Sequence, residues 1–514
     1  NKLYKHRVYD DLSDYVHSDL NNQETPLYSF STGGLDQNIF QRQTITDVVK
    51  FDYTNQINKI HQLKFGIESK KHNIDYENYN LQYRSESFNP SIDSPFVIPI
   101  IDDISTQNSS TYNFEPVESS FYIQDKIELD EMILNAGIRF DYFDSKGYVL
   151  SDPEDPFIYS PMNPYHIYDC SNDDGYCGDN EPLQTYEDRL EYWYTPTKAK
   201  SMISPRFGGS FPISDQGVFH FSYGHFFQMP KFELLYYNAD IDLDVGGVGN
   251  LGVIGNADLE PEKTISYEIG VQYKIDNSSA VDMTMYFRDI RDLTGTKSDV
   301  IYIENGSSYD IYTNSDFGYV KGFVLSYKKN LRNGFSTTLD YTFQQAKGTA
   351  SDPFDAHNAT VNNQYPEIQF IRLNWDQTHT INGTFYFDAS NWGIGMIGKI
   401  GSGQPYTPFI SDNFAALITN SKTKPINWNV DLRSYFQFSQ LQGIKFYINI
   451  FNLFDRLNHV NVYNDSGRAD RTGYEKDAIN YNTDELINTV NEWFDNETFY
   501  SNPRRIEMGF RYEF

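Results

Sequence analysis

Between Lys263 and Ile275 every second residue is apolar. Ile265, Tyr267, Ile269, Val271, Tyr273 and Ile275 alternate with Thr264, Ser266, Glu268, Gly270, Gln272 and Lys274. A short Asp-Asn-Ser-Ser turn follows, and then Val281, Met283, Met285 and Phe287 alternate with Asp282, Thr284, Tyr286 and Arg288. A period of two puts one set on each face of a strand. One face is continuously greasy, and the other carries carboxylates, amides and bases along its whole length.

The unit recurs. Hairpins are expected at 44–56 with 60–70, 118–129 with 132–143, 204–213 with 217–228, 318–329 with 334–345, 379–388 with 392–401 and 428–438 with 443–454. The chain ends on one more such strand, in which Ile506, Met508, Phe510, Tyr512 and Phe514 oppose Arg505, Glu507, Gly509, Arg511 and Glu513. As a soluble edge it would invite aggregation. With one poorly marked strand near the N-terminus, the count is about sixteen.

Connections alternate in length. Turns inside hairpins are short, whereas those between hairpins run long, as at 71–114, 144–197 and 455–501. Short turns at one rim and long loops at the other fit an outer-membrane barrel. A soluble sandwich calls for shorter, more even spacing. A propeller calls for a blade repeat, and the chain has none. No stretch approaches the roughly 20 apolar residues of a membrane helix, but transmembrane strands of about 10 half-polar residues escape hydropathy. The 41 Tyr and 38 Phe among 514 residues suit interfacial girdles and aromatic loops. The expectation is an all-β, transmembrane antiparallel up-and-down β-barrel with short periplasmic turns and long extracellular loops. Its greasy face meets lipid and its charged face the lumen. The last strand would lose its free edge by pairing with the first.

A net charge of −30 argues against nucleic acid, which needs basic patches to neutralise phosphates. The two cysteines, Cys170 and Cys177, lie close together in a polar loop with no His between them. That suggests a local disulfide and an oxidising compartment more than a metal site.

Several stretches resemble the barrel of TonB-dependent outer-membrane receptors. Asn256–Tyr273, "NADLEPEKTISYEIGVQY", is similar to that family's Asn-x-x-Leu-x-Pro-Glu strand entry. Ser204–Pro230 resembles the preceding hairpin, and Gly401–Pro408, "GSGQPYTP", lies in a later one. The "NIFNLFD" end of the penultimate hairpin and the terminal "NPRRIEMGFRYEF" follow in the family's order. The resemblance covers about the last 310 residues; upstream it rests on pattern. It implies energised import of a scarce, bulky solute across a Gram-negative outer membrane, with a ferric siderophore as the default ligand. An oligosaccharide or peptide is the alternative cargo, and a plugless porin or adhesion barrel the alternative from another class. The family implies a TonB–ExbB–ExbD partner, and recognition of Phe510, Tyr512 and Phe514 by the barrel-assembly machinery. Lipopolysaccharide and a lipoprotein lid are further expected partners. It also implies 22 strands and an N-terminal plug. About sixteen strands and no plug or TonB box are seen, so residues 1–514 are expected to be one barrel domain lacking its plug and first strands.

Transport of this kind needs no catalytic residue and no obligatory cofactor, and no nucleophile–base motif stands out. Tyr406, Trp375, Tyr192 and Trp193 are the aromatic loop residues expected to stack on a ligand. Asp169, Asp173, Asp174, Asp179 and Glu181 form the densest acidic loop, and their hard oxygens suit Ca²⁺. His220 and His225 fall on opposite faces and make poor joint ligands. The family's haem-receptor motifs are replaced here by "FFQMP" and "NADL", which disfavours haem. Asp484–Phe494 reads as a short amphipathic helix.

Overall fold

The computed structural model describes residues 2–16, 28–30, 35–83, 98–106, 108–170, 177–238, 243, 249–296, 300–331, 333–362, 369–409, 419–438, 443–481 and 488–512. Among the described residues sixteen antiparallel strands carry the architecture. They are β1 (Lys2–His6), β2 (Asn38–Gln56), β3 (His61–Asn80), β4 (Val117–Glu128), β5 (Ile133–Asp144) and β6 (Lys200–Pro212). Next come β7 (Gly217–Gln228), β8 (Glu262–Asp276), β9 (Ser279–Thr296), β10 (Ser308–Asn330) and β11 (Phe335–Gly348). The last five are β12 (His379–Asp388), β13 (Trp392–Gly401), β14 (Asn427–Gln437), β15 (Ile444–Phe451) and β16 (Arg505–Tyr512). Each pairs with the next in sequence order, an up-and-down meander. Among the described residues β1 pairs only with β2, and β16 only with β15.

The two faces separate as the alternation requires. On β16, Ile506, Met508, Phe510 and Tyr512 are all exposed, Phe510 at 72%. On β8, Tyr267, Ile269, Tyr273 and Ile275 are exposed in the same way. In a lipid bilayer such a face is buried in hydrocarbon, and the strand ladder satisfies the backbone polar groups.

Three strands are longer than their apolar alternation. β2 and β3 extend to Asn38 and Asn80, and β10 begins at Ser308 rather than near 318. On β3 the outward face carries exposed Lys71, Asp75 and Glu77. Above the bilayer that face meets water, so the period-two signal stops while the hydrogen-bonded ladder continues.

The buried core lies not between sheets but at the barrel mouth, where the long extracellular loops pack on the ends of the strands. Ile74, Phe143, Leu235, Tyr236, Val253, Ala257, Leu259 and Tyr312 form its main cluster. Among the described residues six short α-helices sit among these loops: α1 (Pro164–Ile167), α2 (Tyr186–Trp193), α3 (Phe232–Tyr236), α4 (Asp355–Val361), α5 (Tyr474–Tyr481) and α6 (Val490–Phe494). The helix expected at Asp484–Phe494 begins only at Val490. Thr489, in an extended conformation, caps it through a reciprocal bond with Glu492. Residues 482–487 lie outside the described residues.

Candidate functional site

The segment after β7 turns back into the barrel mouth. Pro230 ends the strand and α3 follows, with Phe232, Leu235 and Tyr236 on its inner side. The Phe232 ring lies 4.9 Å from His72 on the lumen wall. Tyr236 stacks on Phe114 at 4.3 Å, with planes 12° apart, and its hydroxyl donates to the Ser145 carbonyl. Burial pushes the Tyr236 phenol far above its ordinary range, so it stays a neutral donor. Glu233 pairs with Arg42 of β2. The return path passes so close that a β-carbon on Gly255 would lie 2.6 Å from the Tyr237 nitrogen.

This infolding leaves two hollows that share one wall residue. The upper one, about 740 Å³, is lined by Tyr112, Phe114, Tyr148, Tyr194 and Tyr236 with apolar neighbours. The lower one, about 530 Å³, is lined by Lys2, Arg42, His72, Tyr112, Lys231 and Glu233. Tyr112 belongs to both and stacks on Tyr76 at 4.5 Å, with planes 5° apart. Beneath the lower hollow the lumen wall is a ladder of charge. Lys70 bridges Glu68 at 3.1 Å and Glu118 at 3.4 Å, and His72 lies 3.3 Å from Glu118. A bulky solute would meet aromatic rings first and cations below them. Hollows of these sizes suit organic ligands of several hundred daltons.

The aromatics singled out from sequence lie elsewhere. Tyr192 is partly exposed, and its hydroxyl donates to Gln184 at 2.6 Å. Trp193 is a correction: only 3% exposed, it packs against His166 at 4.9 Å and has no free face for a ligand. Leu190 of the same helix and Tyr194, the extended residue just after it, line the upper hollow instead. Trp375 is exposed on the β11–β12 loop. Tyr406 packs its hydroxyl against Gly467 of the last long loop. Burial, with Asp465 adding, raises its pKa. The structure therefore does not gather these four rings into one site.

Cys170 and Cys177 are joined as a disulfide, with Cα atoms 5.5 Å apart. Asp173 and Asp174 lie outside the described residues. Asp179 accepts a hydrogen bond from Tyr168 at 2.5 Å. Among the described residues no three His, Cys, Asp or Glu side chains gather as metal ligands, and Asp169, Asp179 and Glu181 form no such group. Phe510 and Tyr512 lie on the lipid-facing side of β16, where Phe510 packs against Phe446 at 5.3 Å. Phe514 lies outside the described residues.

Sequence reasoning missed Arg42, Tyr112, Phe114, Lys231 and Tyr236. One signal was available: the run "PKFELLYYN" after β7 has Phe232, Leu235 and Tyr236 at helical spacing.

Residues 3–453 match the family described as TonB dependent receptor-like, beta-barrel. Among solved structures the chain is similar to the outer membrane transporter YddB from Escherichia coli, at 14% identity and a TM-score of 0.54 over 83% of this chain and 52% of that one. It is also similar to the pyoverdine outer membrane receptor FpvA from Pseudomonas aeruginosa PAO1, at 13% identity and 0.53 over 93% and 54%. A third likeness is to the copper transporter OprC, at 12% identity and 0.52 over 93% and 57%. At these identities the likeness is one of fold, and the chain spans little more than half the length of each. No curated protein matches it.

Proposed function

Since this chain belongs to the TonB-dependent receptors of the outer membrane, we propose that it forms the barrel of an importer for a scarce, bulky solute of the ferric-siderophore type, driven by TonB–ExbB–ExbD. The observation that carries this reading is the pair of hollows meeting at Tyr112. The upper aromatic hollow would hold the apolar body of a chelate. Arg42 and Lys231 below would attract its anionic metal centre. The Arg42–Glu233 pair ties α3 to the wall, so a ligand competing for Arg42 would loosen the infolded segment. The reading assigns the chain no catalytic residue and no resident cofactor. Assembly through the barrel-assembly machinery and a lipoprotein lid belong to the same proposal.

The test is uptake by cells carrying the full-length protein. Radiolabelled iron supplied as a panel of siderophores should enter only when the protein is present and the inner membrane is energised. Tyr112→Ala combined with Arg42→Gln should lower that uptake at least tenfold. Uptake that survives collapse of the proton gradient would point to a passive pore. A response to oligosaccharides or peptides alone would replace the cargo and keep the transport.

A further inference from the structure

We propose that the periplasmic half of the lumen wall, on β12–β16, binds an aromatic polyanion and so gives the cargo a second station below the mouth. The station's place on an import route rests on the importer reading; the binding itself does not. A hollow of about 890 Å³ lies there, walled by these strands and by the short β10–β11 connection. It is at the far end of the strands from Tyr112. β14 runs down to Gln437, the chain turns, and β15 rises again from Ile444.

Register builds the floor of the hollow. Tyr386, Gly395, Arg433 and Asn449 share one level across β12–β15. One step down, Gly393, Tyr435, Tyr447 and Gly509 share the next across β13–β16. Each of the three glycines lies under a neighbouring ring: Gly395 under Tyr386, Gly393 under Tyr435 and Gly509 under Tyr447. A ring laid against bare backbone turns its other face to the lumen. From β12 to β15, at about 4.8 Å per strand, the three rings spread over about 14 Å. Arg433 stands above them. Below them Lys445 and Arg511 face each other on neighbouring strands, a like-charge pair that is unfavourable by itself. None of the three cations has a carboxylate partner among the described residues. Of the two acids lining the hollow, Glu507 is paired with Arg505 at 3.2 Å and Asp388 accepts from the Tyr435 hydroxyl. The Lys445 ammonium lies over the Tyr435 ring at 4.5 Å.

The surroundings choose the occupant. The opposed Lys445 and Arg511 call for negative charge between them, and the ring faces call for a planar group to stack on. Together they describe a ring that carries several carboxylate or phenolate oxygens. An acidic peptide would want backbone partners, and β12–β15 spend theirs on each other and on their flanking strands. The mouth combines rings with Arg42 and Lys231 in the same way. A solute released there would meet the same chemistry again on the wall below.

The experiment reads alkylation of a thiol placed in the hollow. Cys170 and Cys177 are joined to each other, so Asn449→Cys adds a free thiol to this stretch of the full-length protein in detergent. Bromobimane, small and neutral, should label it. Millimolar pyromellitate, a benzene ring bearing four carboxylates, should slow the labelling at least about fivefold. Butanetetracarboxylate, of equal charge without a ring, should slow it less than about twofold. Adding Arg433→Gln, Lys445→Gln and Arg511→Gln should abolish the protection. Lys445→Arg alone should keep it, which separates charge from folding. Equal protection by both tetracarboxylates would show a plain anion site and overturn the proposal. So would protection that survives the Gln triple, no protection at all, or a thiol that bromobimane cannot reach because another part of the protein fills the hollow. Iron uptake tells the two readings apart. The Gln triple should lower the maximal rate on the order of tenfold with half-saturation unchanged; an unchanged rate would take the hollow off the route. Protection in a parent that shows no energised uptake would sink the importer reading and leave the site, and uptake without protection would do the reverse.

Discussion

Tyr122 of β4 lies across Gly66 of β3, and its hydroxyl donates to Asp52 of β2 at 2.7 Å. The ring spans a whole strand because Gly66 has no side chain to block it. The device recurs on the lumen face. Tyr286 crosses Gly322 to reach Gln344 at 3.0 Å, His220 crosses Gly270 to reach Thr284 at 3.3 Å, and Tyr435 crosses Gly393 to reach Asp388. Each joins three adjacent strands through one side chain. A meander whose strands touch only their neighbours gains second-neighbour ties, and each ring covers backbone that glycine would leave bare.

The glycines under these straps should not be equivalent. At Gly66 a β-carbon meets only the ends of the Tyr122 and Asp52 side chains, which can swing away. At Gly322 it meets the Phe343 backbone carbonyl. Gly322→Ala should therefore cost about 1–3 kcal/mol of barrel stability by overpacking, and Gly66→Ala clearly less. Urea unfolding in detergent, followed by tryptophan fluorescence, measures both. A Gly66→Ala cost equal to or above that of Gly322→Ala would contradict the assignment.

Tyr236 should hold the mouth rather than the barrel. It is 1% exposed and stacked on Phe114. Tyr236→Ala removes a buried aromatic, a loss of about 3–5 kcal/mol for the loop cluster. Tyr236→Phe loses one buried hydrogen bond, about 1 kcal/mol. Limited proteolysis should show the Ala variant nicked within 145–199 and 229–261, while the strands resist heat as before. Melting of the whole barrel would show that the cluster is not separable from it.

The hairpins were legible because lipid on one side and water on the other force a strict two-face code. The 379–388 and 392–401 strands fall where the alternation puts them. The code lapses where both faces meet water, which is why the alternation does not mark the tops of β2, β3 and β10. Helix α2 had a readable start, Thr185 three residues before Asp188, whose reciprocal capping is present. The hollows were not legible. Tyr112, Tyr194 and Tyr236 come from three different long loops, and only the sheet order brings those loops over one opening.

The seam between the first and last loops should depend on one amide. Asn488 accepts from the Phe30 backbone N–H at 2.7 Å and donates to the Tyr28 carbonyl at 3.1 Å. Beside it, Trp493 packs on the Phe30 ring at 5.3 Å. Asn488→Ala leaves two part-buried backbone groups without this partner and should loosen the contact by about 1–3 kcal/mol. Amide exchange at Phe30 should then speed up at least fivefold, with exchange in β14 and β15 unchanged. An unaltered Phe30 amide would show that the ring contact alone holds the seam.

The last long loop should weaken in mild acid. Burial holds His459 below its ordinary 6.5, with Arg468 and Arg456 adding and Asp470 opposing. Its Nδ1 accepts from the Ala469 N–H at 2.8 Å, an arrangement that requires the neutral ring. A depressed folded value means the unfolded loop takes up the proton first. The histidine's contribution is therefore complete above about pH 6.5 and is lost as pH falls below it towards the lowered folded value. Exchange protection of the Ala469 amide, corrected for the intrinsic rate, should fall between pH 7 and 5. In His459→Asn, where the side-chain oxygen can still accept but nothing titrates, it should stay flat. Protection that rises on acidification would mean that the ring is charged in the folded loop and that Asp470, not burial, governs it.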